Sequence, residues 1–299
     1  MITRSTLTSA VVCAGIGLHS GIRVRMVLKP APLGSGLVFE RTDLDLEDRR
    51  IPAHRDLVES TDLSTKLVND SGASVATVEH LMAALAGLGI DDLHIEIDGP
   101  EVPAMDGSSI DFVNLINQAG ITTTPAPRRF IQVLKPVEVV DGLKHAMFLP
   151  SLRPAIDVEI DFEESLIGRQ NFAFDVVPGA FEAEVASART FGFRRDLSML
   201  LNAGLAQGAS MDNAVVIHEG KVENATGLRF DNEFVRHKAL DALGDLYLAG
   251  APILGLYRAI RPGHGLNAKA LAALLADETA WRWTTINEQQ MVPARTARP

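Results

Sequence analysis

Residues 234–245 place apolar and polar positions on opposite faces of a helical wheel. At about 100° of rotation per residue, His237, Asp241 and Asp245 fall on one narrow face. The opposite arc is apolar and carries Leu240, Ala242, Leu243, Leu246 and Tyr247. The pattern predicts an α-helix with one side in the core, and with an imidazole and two carboxylates in a row along the other side.

This polar face has two interpretations. A His and an Asp one turn apart form an ordinary pair on a solvated helix. The same two residues can instead hold a divalent metal ion from one rigid helix, as the two histidines of an H-E-x-x-H motif do. Taken alone, the segment favours the solvated face.

A second helix is predicted at residues 77–88, with Thr77 as its N-cap and with Glu79 and His80 in its first turn. The rest of this helix is apolar nearly all round, which indicates burial. A Glu-His pair in a buried helix is costly unless both groups have partners. The alternative is an exposed Glu favoured by the helix dipole, next to a hydrogen-bonded core His.

The two helices resemble each other in sequence. The pattern Val-x-His followed by Ala-Leu-x-x-Leu begins at Val78 in the first helix and at Val235 in the second, with a one-residue slip. A Gly-containing turn and a strand-like run follow each helix, at 93–97 and at 253–257. We infer an old duplication in which each half brings one helix-borne His to a shared interface. Chance similarity between two Ala/Leu-rich helices is the alternative.

The remaining pattern predicts runs of strands with helices grouped after them, which is typical of an α+β fold. Further strands are predicted at 11–14, 23–28, 130–134, 146–149, 155–162 and 213–217, and further helices at 110–119, 179–185, 197–204 and 267–283. Residues 122–127 are the best linker candidate. We therefore expect an N-terminal α+β domain over 1–124 and a C-terminal one over 128–299. We expect the polar tail after Asn287 to be frayed.

The composition narrows the function classes. The chain of 299 residues has a net charge of −10 and no basic stripe, so nucleic acid is not an expected partner. It has no apolar run of about 20 residues for a membrane span, and its start lacks the features of a signal peptide. The single cysteine, Cys13, excludes an internal disulfide and a cysteine-based zinc site. We expect a cytoplasmic monomer in which His, Asp or Glu holds any metal.

A metal site can be assembled from the two predicted helices. If His80, His237 and Asp241 bind one ion, three ligands leave a fourth position open, as in catalytic rather than structural zinc sites. Such an ion acidifies water and polarises a carbonyl group. Glu79, next to a ligand, is then the natural general base.

The group that departs in such a reaction also needs an acid. His264 lies between Gly263 and Gly265 on a predicted turn, where packing gives little reason for an imidazole. Asp245 is placed to fix the protonation of His264 or to support a metal ligand. Thr190 is a candidate donor to an oxyanion, although a structural Thr at a strand end is the commoner interpretation.

Several ordered motifs resemble the UDP-3-O-acyl-N-acetylglucosamine deacetylases, which are zinc enzymes of lipid A synthesis in Gram-negative bacteria. The resemblance covers nearly the whole chain. The motifs are GIGLHSG at 15–21, TVEHL at 77–81, GLGID at 87–91, MDGS at 105–108, ARTFGF at 188–193, RHKxxD at 236–241 and GHxLN at 263–267. Their order and spacing are more specific than any one motif.

The resemblance implies two topologically similar α+β domains, each a sheet packed with helices, with helices and one catalytic zinc ion at their interface. Iron(II) is the alternative ion. The implied reaction is hydrolysis of the 2-acetamido group of UDP-3-O-(3-hydroxyacyl)-N-acetylglucosamine, which releases acetate, so the expected substrate is an acylated UDP-sugar. The implied roles are metal ligand for His80, His237 and Asp241, general base for Glu79, general acid for His264, orientation of that His for Asp245, and oxyanion stabilisation for Thr190.

The resemblance also implies substrate-binding positions. Lys238 matches a residue near the substrate diphosphate, Phe191 matches a further substrate contact, and Phe162 and Lys144 match contacts to the nucleotide half. Residues 196–217 match an insertion that builds an apolar passage for the acyl chain. The side chains that fit this passage, or a plain hydrophobic core, are Leu197, Met199, Leu200, Leu201, Leu205, Ala206, Met211 and Val215. His19 lies in a family motif without an assigned role.

Two positions depart from the family pattern. Ala209 stands where a second Gly is often expected, which bears on the width of the acyl passage. Ser64 stands where some relatives carry a Cys near the site.

Two rival functions are a zinc hydrolase of another N-acyl amino sugar or peptide, and a non-catalytic metal- or nucleotide-binding protein. Lys238 and the 196–217 segment argue against the first. Glu79 and His264 argue against the second, because binding alone needs neither a base nor an acid.

Overall fold

The computed structural model describes residues 1–45 and 47–291. Helices and strands alternate in both halves, and the sheets are packed with helices, so the predicted α+β class is confirmed. Within the described ranges, no helix is both long and apolar enough to cross a membrane. Residues Glu288–Met291 form a 3-10 helix, and residues 292–299 of the tail that we expected to be frayed lie outside the described part of the chain.

The first half of the chain builds a sheet-and-helix unit. Its elements are β1 (Thr3–Leu7), β2 (Val11–Ile16), β3 (Arg23–Pro30), β4 (Leu37–Arg41), β5 (Arg50–Pro52), β6 (Val58–Ser60), β7 (Lys66–Val68), β8 (Ser74–Val75), α1 (Glu79–Leu88), β9 (Leu93–Ile97), α2 (Ile110–Ala119) and β10 (Ile121–Pro127). A 3-10 helix at Arg55–Leu57 lies between β5 and β6.

The second half repeats this plan with an insertion before its main helix. Its elements are β11 (Phe130–Val133), β12 (Val137–Asp141), β13 (Lys144–Leu149), β14 (Ala155–Asp161), β15 (Arg169–Asp175), α3 (Ala180–Glu184), β16 (Phe191–Phe193), α4 (Leu197–Asn202), β17 (Val215–His218), β18 (Lys221–Val222), α5 (Glu233–Tyr247), β19 (Ile253–Leu254), β20 (Leu256–Ile260), α6 (His264–Ala276) and β21 (Trp281–Thr284). A 3-10 helix at Arg194–Asp196 precedes α4.

Each half contains a five-stranded sheet with the same topology. The strand orders are β2-β3-β9-β4-β5 and β12-β13-β20-β14-β15. In both sheets the first two pairings are antiparallel, the third is parallel and the fourth is antiparallel. The third strand of each sheet follows the His-bearing helix, α1 or α5. The two halves are therefore topologically similar, as expected. The duplication and the limits 1–124 and 128–299 stay predictions.

Helices α1 and α5 pack directly against each other, and α5 also packs on β14 and β15. Gly244 makes this approach possible, because a Cβ atom there would overlap the backbone carbonyl oxygen of Glu79. Apolar residues from both halves form one continuous core cluster. The first turn of α1 is thereby held against the middle of α5.

Three sequence predictions need correction. Thr77 is not an N-cap: α1 begins at Glu79 without a side-chain cap, and Thr77 has a left-handed backbone with φ of 57°. The linker candidate lies in β10, which pairs with β1, because its Thr-rich run suits an exposed edge strand. The last helix spans His264–Ala276 rather than 267–283, since Trp281–Thr284 pairs with β11.

We predict that Gly244→Ala destabilises the protein, although Ala is the better helix former by about 1 kcal/mol. Overlap with a backbone atom forces the two helices apart, and overpacking of this kind typically costs about 1–3 kcal/mol. Urea unfolding gives the change in free energy of unfolding. Gly192→Ala is the control, because nothing lies near a Cβ atom there. Equal stability of both variants and the wild type would refute the close-packing argument.

Candidate metal centre and active site

His80, His237 and Asp241 form a compact, buried group of candidate metal ligands. Their ligand atoms lie within 4.8 Å of one another. The Nε2 atoms of His80 and His237 lie 3.6 and 3.3 Å from Asp241 Oδ1. The two imidazole rings meet edge to face with centroids 4.9 Å apart. Helix α1 supplies one residue and α5 supplies two, so the group forms where the halves meet.

The hydrogen bonds around this group leave the inner atoms available for a cation. Asp241 Oδ1 is buried and has no hydrogen-bond partner among the described residues, which is costly for a carboxylate. Its other oxygen, Oδ2, accepts a bond of 2.6 Å from Lys238 Nζ. His237 Nδ1 donates to the carbonyl oxygen of Ala188 at 3.0 Å, so its Nε2 lone pair is free for a metal. Two imidazoles and one carboxylate fit a zinc site with an open position.

The ionisation of the ligands also suits a cation. Burial is the main reason why the pKa of His237 is lowered to about 3, so the ring is neutral. Burial opposes ionisation of Asp241, but His237 and Lys238 outweigh it and hold its pKa well below the usual range. A neutral imidazole and an ionised carboxylate are the states that metal binding requires.

Glu79, His264 and Asp245 lie side by side next to the candidate ligands, and all three are buried. His264 Nε2 lies 3.8 Å from Glu79 Oε1. His264 Nδ1 lies 2.9 Å from Asp245 Oδ2, so the carboxylate fixes the ring with Nε2 turned toward Glu79. His264 is the first residue of α6 rather than part of a free turn, and Gly263 before it is extended.

The pKa values of two of these three residues, Glu79 and His264, are shifted from their usual range. Burial raises the pKa of Glu79 against the lowering influence of His264 and His80. Burial alone would lower the pKa of His264, but Asp245 and Glu79 outweigh it and raise the value to about 10. His264 therefore keeps its proton at neutral pH. Titratable groups shifted in this way mark candidate acid and base pairs.

Three of the predicted substrate-binding residues lie together near the ligands. The Phe191 ring lies 6.4 Å from the His237 ring and 5.7 Å from the Phe162 ring. Lys238 Nζ lies 5.7 Å from the centre of the Phe191 ring. Phe193 joins the cluster at 6.2 Å from Phe162. This arrangement gives an aromatic wall with a cation at its inner end.

The structure does not bring Lys144 into this cluster. It is exposed at the start of β13, in the hairpin with β12, and faces Asp141 across the strand pair. Among the described residues, no contact joins it to the ligand group. Its assignment to the nucleotide half stays a prediction.

A cavity of about 330 Å³ opens next to Thr190 and Phe191. Its lining includes four side chains of the predicted acyl passage, Leu197, Leu200, Ala206 and Met211, and also Ala209. Leu18 and His19 of the β2–β3 turn complete one side. Met199 and Leu201 instead point outward, at 64% and 44% exposure, and Val215 is buried in the core. The 196–217 segment thus forms a cavity wall rather than only a core.

A larger cavity lies elsewhere. It measures about 800 Å³ and is lined by residues near the C-terminal ends of α1 and α5, including Gly89, Arg128 and Tyr247. None of the predicted site residues lines it. Its size therefore does not make it the candidate site, because the candidate ligands and the Glu79–His264–Asp245 group lie outside it.

Several supporting residues were missing from the sequence analysis. Glu233 accepts hydrogen bonds from the Arg189 backbone and guanidinium, which fixes the segment that presents the Ala188 carbonyl to His237. Glu101 accepts bonds from the His19 amide and the Thr77 hydroxyl. A carboxylate at each position was visible in the sequence, but its partners lie tens of residues away and only the fold reveals them.

An α+β fold with a buried His-His-Asp group beside a carboxylate and an imidazole has the features of a hydrolytic metalloenzyme. Residues 4–276 match the family described as UDP-3-O-acyl N-acetylglycosamine deacetylase. Over all of this chain and 98% of theirs, proteins named UDP-3-O-acyl-N-acetylglucosamine deacetylase are 47% identical in Vibrio campbellii and Vibrio parahaemolyticus and 48% identical in Vibrio cholerae. The chain belongs to this deacetylase family.

We predict that His80→Ala and His237→Ala each abolish stoichiometric metal binding, because two remaining ligands hold an ion weakly. The metal content of each variant after dialysis, measured by inductively coupled plasma mass spectrometry, checks this prediction. His94→Ala is the control, since His94 pairs with Glu40 away from the group. Circular dichroism verifies that the variants fold. Metal retained by both ligand variants would refute the assignment.

Proposed function

We propose that this protein hydrolyses the 2-acetamido group of a UDP-3-O-acyl-N-acetylglucosamine and releases acetate, as a zinc-dependent amidohydrolase of lipid A biosynthesis. The observation that carries the proposal is the buried group of His80, His237 and Asp241 beside Glu79 and His264. It occurs in a chain that is 47–48% identical to proteins named for this activity.

In the proposed reaction the metal ion would supply Lewis acidity, and side chains of the protein would transfer the protons. An ion held by the three ligands supplies Lewis acidity toward water and an acyl carbonyl. Glu79 accepts the proton of the attacking water, and its raised pKa suits a general base. His264 delivers a proton to the departing amine nitrogen, and Asp245 keeps it protonated and oriented. We assign oxyanion stabilisation to Thr190, which lines the cavity.

The surroundings of the ligand group support a substrate with a charged and an apolar part. Lys238 and the Phe191 and Phe162 rings offer a cation and stacking surfaces for the nucleotide diphosphate portion. The cavity of about 330 Å³ beside them is lined largely by apolar side chains, which suits an acyl chain.

Zinc is the proposed ion because imidazole and carboxylate ligands in an open site are typical of catalytic zinc. Iron(II) accepts the same donor set and is the competing ion. We also propose that the chain acts as a cytoplasmic monomer with two domains over 1–124 and 128–299. The repeated sheet topology supports the two domains, and the buried, unpaired Cys13 suits a reducing compartment.

The decisive experiment follows acetate release from UDP-3-O-(3-hydroxyacyl)-N-acetylglucosamine by purified protein. We expect turnover that a chelator abolishes and that one equivalent of zinc restores. Glu79→Gln should bind zinc but lose roughly 10²–10⁴-fold in kcat, the usual contribution of a general base. Glu96→Gln, which alters a surface pair with Lys29, is the control. No turnover by zinc-loaded wild type would point to another N-acyl substrate, and full activity of Glu79→Gln would overturn the mechanism.

The cavity assignment predicts a selective defect. Leu200→Trp fills the cavity that Phe191 also lines. We therefore expect a lower kcat/KM for the 3-O-acylated substrate and little change for UDP-N-acetylglucosamine, which lacks the 3-O-acyl chain. Met199→Trp, on the same helix but 64% exposed, should leave both reactions unchanged. Equal loss with both substrates would mean that the cavity does not hold the acyl chain.

A further inference from the structure

Thr65 hydrogen-bonds both Glu79, the proposed base, and Asp245, which orients the proposed acid His264. It lies just before β7, it is only 2% exposed, and it is 14 residues from Glu79 but 180 from Asp245 in the sequence. Its hydroxyl donates a hydrogen bond of 2.6 Å to Asp245 Oδ1. Its backbone amide donates a bond of 3.0 Å to Glu79 Oε2. The neighbouring Ser64, which departs from the family pattern, makes neither contact.

The hydroxyl contact completes the hydrogen bonding of Asp245. The Oδ2 atom of Asp245 already accepts from His264 Nδ1 and from Asn267 Nδ2, at 2.9 and 2.8 Å. With Thr65 on Oδ1, both carboxylate oxygens are fixed and the plane of the carboxylate cannot turn. The position of the His264 ring follows from that plane.

The amide contact fixes Glu79 in the same way. Thr65 holds Oε2, so Oε1 is left facing His264 Nε2 at 3.8 Å. The carbonyl oxygen of Thr65 also accepts a bond of 3.4 Å from the amide of Val78, which ties the loop to the start of α1. One residue therefore sets the distance between two side chains that belong to different helices.

We propose that Thr65 is a positioning residue that aligns Glu79 with the Asp245–His264 pair by holding a carboxylate of each. This inference rests on the proposed function for the roles of Glu79 and His264. Thr65 acts through these groups and does not itself contact the reacting atoms.

Removing the Thr65 hydroxyl separates the effect of its contact with Asp245 from the effect of the backbone amide contact with Glu79. In Thr65→Val the backbone amide still holds Glu79, while Asp245 Oδ1 loses its donor. A cavity of about 60 Å³ lies beside Thr65, Asp245 and His264, so an Ala at this position would make room for a replacement water. Val keeps the side-chain volume, so it adds no space for a further water molecule. Thr65→Ser retains the hydroxyl and is the matched control.

We expect Thr65→Val to lower kcat by about 10- to 100-fold, the scale of an ångström-sized misplacement of a catalytic group. KM and zinc content should not change, because Thr65 contacts neither the ligands nor the cavity of the proposed acyl chain. Thr65→Ser should retain most of the wild-type kcat. A thermal melt verifies that both variants fold.

The pH profile gives a readout that a packing role would not move. The proposed reaction needs protonated His264, so kcat/KM falls as the pH rises through the pKa of that residue. The charged and titratable groups near His264 are Asp245 and Asp241 on α5, Glu79 on α1, His19 in the β2–β3 turn and Arg55 at the small cavity. Without the Thr65 donor, the Asp245 charge acts more strongly on His264 and raises its pKa. The alkaline limb of Thr65→Val should therefore move to higher pH.

Nuclear magnetic resonance titration of ¹⁵N-labelled His264 in zinc-loaded protein tests the same shift without turnover. The shift in Thr65→Val but not in Thr65→Ser supports the proposal even when the substrate assay fails for the wild type. An unchanged His264 titration in Thr65→Val overturns it, as do wild-type kcat in that variant or an equal defect in Thr65→Ser. Inactive wild type with a normal Thr65 effect would instead refute the proposed function alone.

Discussion

The contact between α1 and α5 is the constraint on which the rest of the molecule depends. Two helices from different halves approach so closely at Gly244 that no side chain fits between them. This approach brings the imidazoles of His80 and His237 to a centroid distance of 4.9 Å. The sheets and loops around the two helices hold that crossing in place. A ligand group that needs both halves can form only if both are folded.

The same crossing buries several ionisable groups, and the free-energy cost of burying them depends on how they are paired. Unpaired charges in a protein interior cost several kcal/mol each, at roughly the scale seen when one partner of a buried pair is removed. Asp245 has three donors, and Asp241 has Lys238 on one oxygen and none on the other. The imbalance is confined to the atom that faces the two histidines. A cation bound between the three side chains would pair this oxygen.

Periodicity in the sequence was sufficient for α5, because His237, Asp241 and Asp245 fall on one face whatever surrounds the helix. It could not show that this face is buried, since the partner helix lies more than 140 residues earlier in the chain. The start of α1 was misplaced because Thr77 adopts a left-handed backbone that a β-branched residue seldom takes. The Thr65 contacts had no local signal, and the separation of Lys144 from the cluster depends on the sheet register.

The repeated topology has a consequence for how such a site can arise. Four and eight residues after His237 stand Asp241 and Asp245, whereas the equivalent steps after His80 reach Ala84 and Leu88. A pair of identical chains would have to carry the same residues on both helices. Two halves of one polypeptide can differ in sequence, so α5 can carry the two aspartates while α1 carries apolar residues at the same steps. Two halves of one polypeptide can therefore carry different catalytic residues, which two identical chains of a symmetric dimer cannot.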